Sequence, residues 1–480
     1  MSPDIAEADL PPTTQPPQRV FVGPPAPGAT RSEPRLPGSK YYTLRYLFNA
    51  LLAEGESLVE GPALSEDTAV LVRVVRALGA TARWEREVTS SVWNLRVRGV
   101  GGRPGRPADG ALRVGNAGAV LRLSLGIGAL LPDVRFETDH PDSLGRRPNA
   151  DLLDALRMLG IEASAGEPGG VLPITLRGGP PRGGAVNVSG RNSSQYLSAL
   201  LYLAPLLPDG LDITVTDELR SQPLVRATLR ALAEAGIDVE ATADLLRFQV
   251  AGGQRYQPRR YRIPSDTPSA AALIAASVAL GAPLRLDALS ARDDDLRALL
   301  AACDTLGVPL SSRPTEAEPD APLALPADAA TRLASGYPIA RRLDGDAIID
   351  SVPALVALAC LIPGETRFER VATLRLKESD RIEDLCMELT HAGADVTPLP
   401  DAIIVRGKPE GVMGGVAVYA HDDHRLAQAL AIIATRGQRG LTITGADAVA
   451  KSYPWFYDDL RRMGAEVRAD GGVDGGADGA

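Results

Sequence analysis

A helix-like apolar segment that stops at a glycine, followed by Val, Ile or a small residue, recurs six times along this chain. The copies are Arg-Ala-Leu-Gly79, Arg-Met-Leu-Gly160, Ala-Glu-Ala-Gly236, Asp-Thr-Leu-Gly307, Thr-His-Ala-Gly393 and Arg-Arg-Met-Gly464. Each glycine is placed to take the left-handed conformation that closes a helix. Helix, glycine and strand also follow one another in unrelated α/β proteins. Here the interval stays within roughly 70 to 90 residues, longer than any solenoid unit and too even for unrelated loops. Six copies of one supersecondary unit, each with room for about two helices and several strands, predict an α/β chain of two domains with three repeats apiece.

At 480 residues the chain is too long for one ordinary core. The expected organisation is a Pro-rich, unstructured tail over 1–17, a first domain from 18–40 plus 263–468, a second domain over 41–262, and a Gly/Asp tail over 469–480. The crossings between domains fall in the Pro- and Arg-rich segment 256–268 and at 36–40. A net charge of -9, with no basic stripe interleaved with aromatics, argues against nucleic acid as a partner. The longest clean apolar run, 352–363, is well short of the roughly 20 residues of a membrane span, so no membrane partner is expected either. Nothing at the N-terminus reads as a signal peptide, and the expected location is the cytoplasm. Cys303, Cys360 and Cys386 are far apart, and only His421 and His424 of the four histidines are close. No metal site is expected.

Polar clusters precede the apolar helices. Leu36-Pro-Gly-Ser-Lys40 opens one, with Arg45 a turn later; Gly115-Asn116-Ala-Gly118 opens a second; Arg146-Arg147-Pro148 follows a polar loop. Ser193-Ser194-Gln195, Asp423-His424-Arg425 and Lys451 stand before three others. The densest cluster is Leu-Arg-Leu-Lys377-Glu378-Ser-Asp-Arg381, ahead of a helical run at Ile382, Leu385, Cys386 and Leu389 with Ser379 or Asp380 as its N-cap. Taken alone, such a cluster could equally be a solvated charge run. Lysine and arginine, however, stand at helix starts where an unliganded helix favours Asp or Glu. If these starts converge they form a positive cleft in an acidic protein, suited to small, multiply anionic ligands.

In order and spacing these motifs resemble the 5-enolpyruvylshikimate-3-phosphate synthase family over roughly residues 20–468. The resemblance implies two inside-out α/β domains of three βαβαββ-type repeats each, the enolpyruvyl transferase fold. It implies transfer of the enolpyruvyl group from phosphoenolpyruvate to the 5-hydroxyl of 3-phosphoshikimate, with release of phosphate and no cofactor, in a monomer. By position, Lys40, Arg147, Arg381, Arg425 and Lys451 match phosphoenolpyruvate-binding bases, with Gly118 and Gln195 beside them, and Asn116 and His424 are further substrate-binding positions. Ser193, Ser194 and Ser221 match hydroxyls that hold the phosphate of 3-phosphoshikimate, Arg45 its carboxylate partner, and Lys377 a further contact. Lys40, Asp350 and Glu378 match catalytic positions: Asp350 takes the hydroxyl proton and Glu378 handles the methylene proton, in separate surroundings.

The chain also departs from the family pattern. Tyr41 stands where Ser is usual, Ala119 where Thr is usual after the glycine motif, Leu224 where Tyr is usual, and Thr373 where Asn or Glu is commoner. Tyr41 and Leu224 fall on the acceptor side, leaving open a specialised paralogue of secondary metabolism that uses a related anionic ring acid or eliminates from 3-phosphoshikimate. The sister family acting on UDP-N-acetylglucosamine has a loop cysteine near the Arg147 position, and residues 138–150 contain none. A silent binding protein on the same fold is disfavoured, because Lys40, Asp350, Glu378 and Lys451 together give such a fold no gain in stability.

Overall fold

The computed structural model describes residues 8–11, 15–25, 32–86, 92–167, 169–335 and 339–469. All six repeat glycines have positive φ, between 76° and 105°, directly after a helix, so the sequence signal marks a real chain reversal in every copy. The described residues form six sheets, five of four strands and one of two. The short one pairs Leu284–Leu286 with Leu323–Leu325 in the fourth repeat. Between these strands stand Pro309, Pro314, Pro319 and Pro322, which have no N–H to give to a ladder.

Two apolar cores divide the chain, one gathering Val20, Val22 and residues from 270 to 467, the other residues from 42 to 263. In the first core the helices Thr267–Leu280, Val352–Ala359 and His424–Ala434 are buried along their whole length. In the second, Lys40–Leu52, Gly118–Gly128 and Ser194–Leu203 are buried except at Tyr41, Ala119 and Gln195, the second residue of each. The apolar helices are therefore the centre and the sheets the outer layer, the inside-out arrangement of this fold class. A helix apolar on every side has no other place to go.

Strands from distant sequence complete a sheet in each core. Arg19–Gly23 inserts antiparallel between Leu441–Thr444 and Glu466–Ala469, and Arg260–Arg262 runs parallel to Glu56–Glu60. The two crossing segments lie side by side: Ser39 N donates to Pro264 O at 2.7 Å and Asp266 N to Pro37 O at 2.9 Å.

The N-terminal segment is not uniformly loose, as its composition suggested. Residues 1–7 and 12–14 lie outside the described residues, but Asp9 pairs with Arg73 at 3.2 Å and Arg76 at 3.0 Å, and Leu10 packs on the second core. Of the tail expected at 469–480, Ala469 ends the strand Glu466–Ala469 and pairs with Val20, and residues 470–480 lie outside the described residues.

Candidate active site

Five helices carry no acid in their first turn and begin on one cavity, which Lys40, Gly118, Ser194, His424 and the capping Ser221 help to line. The cavity encloses about 810 Å³ including its mouth, and seven bases against three acids line it. The helix ends add their own partial positive charge. In the first core, the aspartates Asp266, Asp350 and Asp423 stand at or next to the starts of the three buried helices.

Arg381 is the hub. It is 1 % exposed and donates from Nη1 to Asp350 Oδ1, from Nη2 to Glu378 Oε2 and from Nε to Asp423 Oδ2, each at 2.7 Å. Asp350 and Glu378, expected in separate surroundings, share one guanidinium, and Arg381, expected as a phosphoenolpyruvate-binding base, donates to three carboxylates at the edge of the cavity. Burial favours the neutral form of Asp350, but Lys377, Arg381 and Arg425 outweigh it and hold the carboxyl well below the usual range. At Glu378 burial is likewise overcome, by Lys451, Arg381 and Arg147. Lys377 Nζ lies 3.3 Å from Asp350, and Lys451 Nζ 3.3 Å from Glu378. The helix expected from Ile382 begins at Glu383, and Asp380 Oδ1 accepts from Ile382 N and Glu383 N at 3.2 and 3.1 Å.

Beside this acidic cluster, Arg147 Nε and Nη2 and Arg425 Nε are buried without a hydrogen-bond partner among the described residues. Arg147 Nη2 lies 3.7 Å from Glu378 and Arg425 Nη2 3.6 Å from Asp266, too far for a hydrogen bond. Buried cationic donors left open are costly unless an anion completes them. Lys40 Nζ is 3.1 Å from Asp67, a residue the sequence did not single out. Arg122 was also missed. It sits one turn after Gly118 in a helix whose only other polar side chain is Ser124, and donates to Gln195 Oε1 at 2.9 Å and Ser193 Oγ at 3.3 Å. A lone arginine on a helix buried except at its second residue was the available signal. His424 is buried, and burial with Lys40 and Arg425 nearby pushes its pKa well below the ordinary value, so it is neutral at pH 7.

Gly118, Arg147, Ser193, Ser194, Gln195, Ser221, Lys377 and His424 line the same cavity as Lys40, Asp350, Glu378 and Arg381. Three expected residues do not. Arg45 is directed into the protein, donating to Thr228 Oγ1 at 2.9 Å, Tyr41 O at 3.0 Å and Leu224 O at 2.8 Å, because these acceptors satisfy its guanidinium inside the second core. Asn116 and Lys451 line an adjoining cavity that Glu378 also borders, and Lys451 Nζ donates to Asn116 O at 2.6 Å across the two cores. The unusual residues are all at the cavity: Tyr41, Ala119, Leu224 and Thr373 line it, and the Tyr41 hydroxyl donates to Asp350 Oδ2.

A family model described as EPSP synthase (3-phosphoshikimate 1-carboxyvinyltransferase) matches residues 26–460. A 3-phosphoshikimate 1-carboxyvinyltransferase of Deinococcus radiodurans is 41% identical over 91% of this chain and 94% of the relative. One from Acetivibrio thermocellus is 33% identical over 90% and 96%. The solved EPSP synthase of Acinetobacter baumannii superposes with a TM-score of 0.74 at 26% identity, covering 94% of this chain and all of that one. The enolpyruvyl transferase NikO of Streptomyces tendae shares the fold, with a TM-score of 0.71 at 19% identity over 95% and 99% of the two chains.

Proposed function

The chain belongs to the EPSP synthase family, and from that premise we propose that it transfers the enolpyruvyl group of phosphoenolpyruvate to the 5-hydroxyl of 3-phosphoshikimate. The observation that carries the residue assignment is Asp350 and Glu378 held on one guanidinium, facing the open nitrogens of Arg147 and Arg425. Those nitrogens receive the carboxylate and phosphate of phosphoenolpyruvate. Despite burial, Lys451, Arg381 and Arg147 hold Glu378 ionised; once the ligand's negative charge offsets these bases, Glu378 takes up a proton from solvent and passes it to the methylene carbon. Carbon 2 becomes electrophilic, the acceptor's hydroxyl oxygen attacks it, and Asp350 receives the hydroxyl proton. The bond from carbon 2 to the phosphate oxygen then breaks while Glu378, ionised again, takes back a proton from the methyl carbon, and Arg147, Arg425 and Lys451 stabilise the departing phosphate's charge.

In this reading residues 18–40 with 263–468 act as one domain and 41–262 as the other, in a cytoplasmic monomer. Ser193, Ser194 and Ser221 take the acceptor's phosphate. A second reading rests on Tyr41, whose phenol lies on the oxygen of Asp350 that an acceptor hydroxyl needs: the acceptor is then a related anionic ring acid. Incubation with phosphoenolpyruvate and 3-phosphoshikimate, with mass analysis of products and assay of released phosphate, decides. Enolpyruvyl-phosphoshikimate and equimolar phosphate support the first reading. Binding of phosphoenolpyruvate without turnover moves the assignment to the second.

A further inference from the structure

The segment that carries Ser221 is tied to the opposite core. Ser221 belongs to the second core's sequence and has a left-handed backbone, φ 55° and ψ 47°, which residues with a side chain rarely adopt. Its amide donates to Asp346 Oδ2 at 2.8 Å, a residue 125 positions away in the first core's sequence. Asp346 is 5 % exposed, and its other oxygen has no partner among the described residues. It stands on a rigid turn: Gly345 N donates to Glu369 O at 2.8 Å, and a Cβ at Gly345 would come 2.2 Å from Val371. Around it Arg370, also left-handed at φ 58°, donates to Glu218 at 2.8 Å and Asp344 at 2.7 Å, while its carbonyl accepts from Arg220 at 3.2 Å.

A buried carboxylate with one open oxygen is a poor choice for stability alone. A backbone amide turned inward by a left-handed residue, however, needs an acceptor, and here the acceptor belongs to the other core. Ser221 itself lines the cavity. We propose that Asp346 is a positioning residue for the acceptor's phosphate: it holds Ser221 in its binding conformation from across the cleft, so that this subsite is complete only when the two cores meet. The inference rests on the reading of Ser221 as a phosphate contact. Phosphate binding and apposition of the cores then favour one another, because each is the condition of the other.

The test compares the full-length wild type with Asp346→Ala and Asp346→Asn, whose amide oxygen can still accept from Ser221. For Asp346→Ala the expected result is a KM for 3-phosphoshikimate raised roughly tenfold or more, in the range of a lost hydrogen bond to a charged group. Affinity for phosphoenolpyruvate should stay within about twofold, and Asp346→Asn should restore the acceptor KM to within about threefold of wild type. An unchanged acceptor KM in Asp346→Ala, or equal weakening toward both ligands, overturns the proposal. If the wild type neither binds nor converts 3-phosphoshikimate, the reaction assigned above fails, and Asp346 is judged by hydrogen exchange at Ser221. Faster exchange in the alanine variant with wild-type exchange in the asparagine variant upholds the positioning role; equal exchange in all three rejects it.

Discussion

The hydroxyl of Tyr41 donates a hydrogen bond to the carboxylate of Asp350, joining residues 309 positions apart in the chain. Tyr41 is the second residue of a helix whose other members are all buried, so its side chain turns outward into the cavity and reaches the group assigned to accept the acceptor's proton. Burial and the negative charge of Asp350 both raise the phenol's pKa well above the ordinary value, and it remains a donor across the working pH range.

An acceptor hydroxyl must therefore compete with Tyr41 for Asp350, and Leu224 provides no phenol to compensate. The wild type should bind 3-phosphoshikimate at least tenfold more weakly than relatives with Ser and Tyr at these positions. Tyr41→Ser combined with Leu224→Tyr should recover most of the roughly 10- to 150-fold that a lost hydrogen bond to a charged group represents. Calorimetry of both ligands checks this, with phosphoenolpyruvate affinity expected to stay level. Unchanged 3-phosphoshikimate affinity in the double variant would show that the two residues are not the obstacle.

Asp350→Asn and Glu378→Gln should each fold normally and lose at least roughly 10²-fold in turnover. Stopped assays under saturating ligands, beside circular dichroism of each variant, separate the two effects. Near-normal turnover in either variant would remove that residue from the proton transfers.

Arg381→Ala should be among the most destabilising single changes in the chain. It would leave Asp350, Glu378 and Asp423 buried around a missing charge, and breaking one buried pair alone costs roughly 3 to 5 kcal/mol. Chemical denaturation reads this directly, and a loss under about 1 kcal/mol would mean the cluster relaxes or hydrates more easily than its burial suggests.

Burial raises the Asp346 carboxyl from its ordinary value near 3.8 to about 6. The folded state therefore holds this proton more tightly than the unfolded chain. The cost of the charged form is full above about pH 6, shrinks as pH falls from 6 toward 3.8, and is absent below that. Asp346→Asn should accordingly stabilise the protein by between about 1 and 3 kcal/mol at pH 8 and by nothing near pH 4. Unfolding curves at the two pH values settle it, and a variant less stable at pH 8 would mean that the carboxylate's charge contributes more than its burial costs.

Much of the architecture is a short-range matter and was legible in the chain. A glycine after an apolar run reverses it wherever it stands, and all six did so at positive φ. The basic and hydroxyl residues at helix starts needed only the local helix to aim them, and Lys40, Ser194 and Arg425 reached one cavity. Among the described residues the fourth repeat has a sheet of only two strands, and the prolines between them, though visible in the sequence, were not read as limiting the ladder. What sequence could not decide was pairing. That Arg381 would serve three carboxylates, that Arg45 would turn to Thr228 and two carbonyls inside the core, that Arg122 would reach Gln195, and that Tyr41 would find Asp350 all depend on packing between helices or on where two separately packed cores meet. Charge partners are chosen by distances of a few ångströms between segments tens to hundreds of residues apart. Helix spacing and capping chemistry act over a handful of residues, so they placed these side chains on the right surface and left their partners to the tertiary fold.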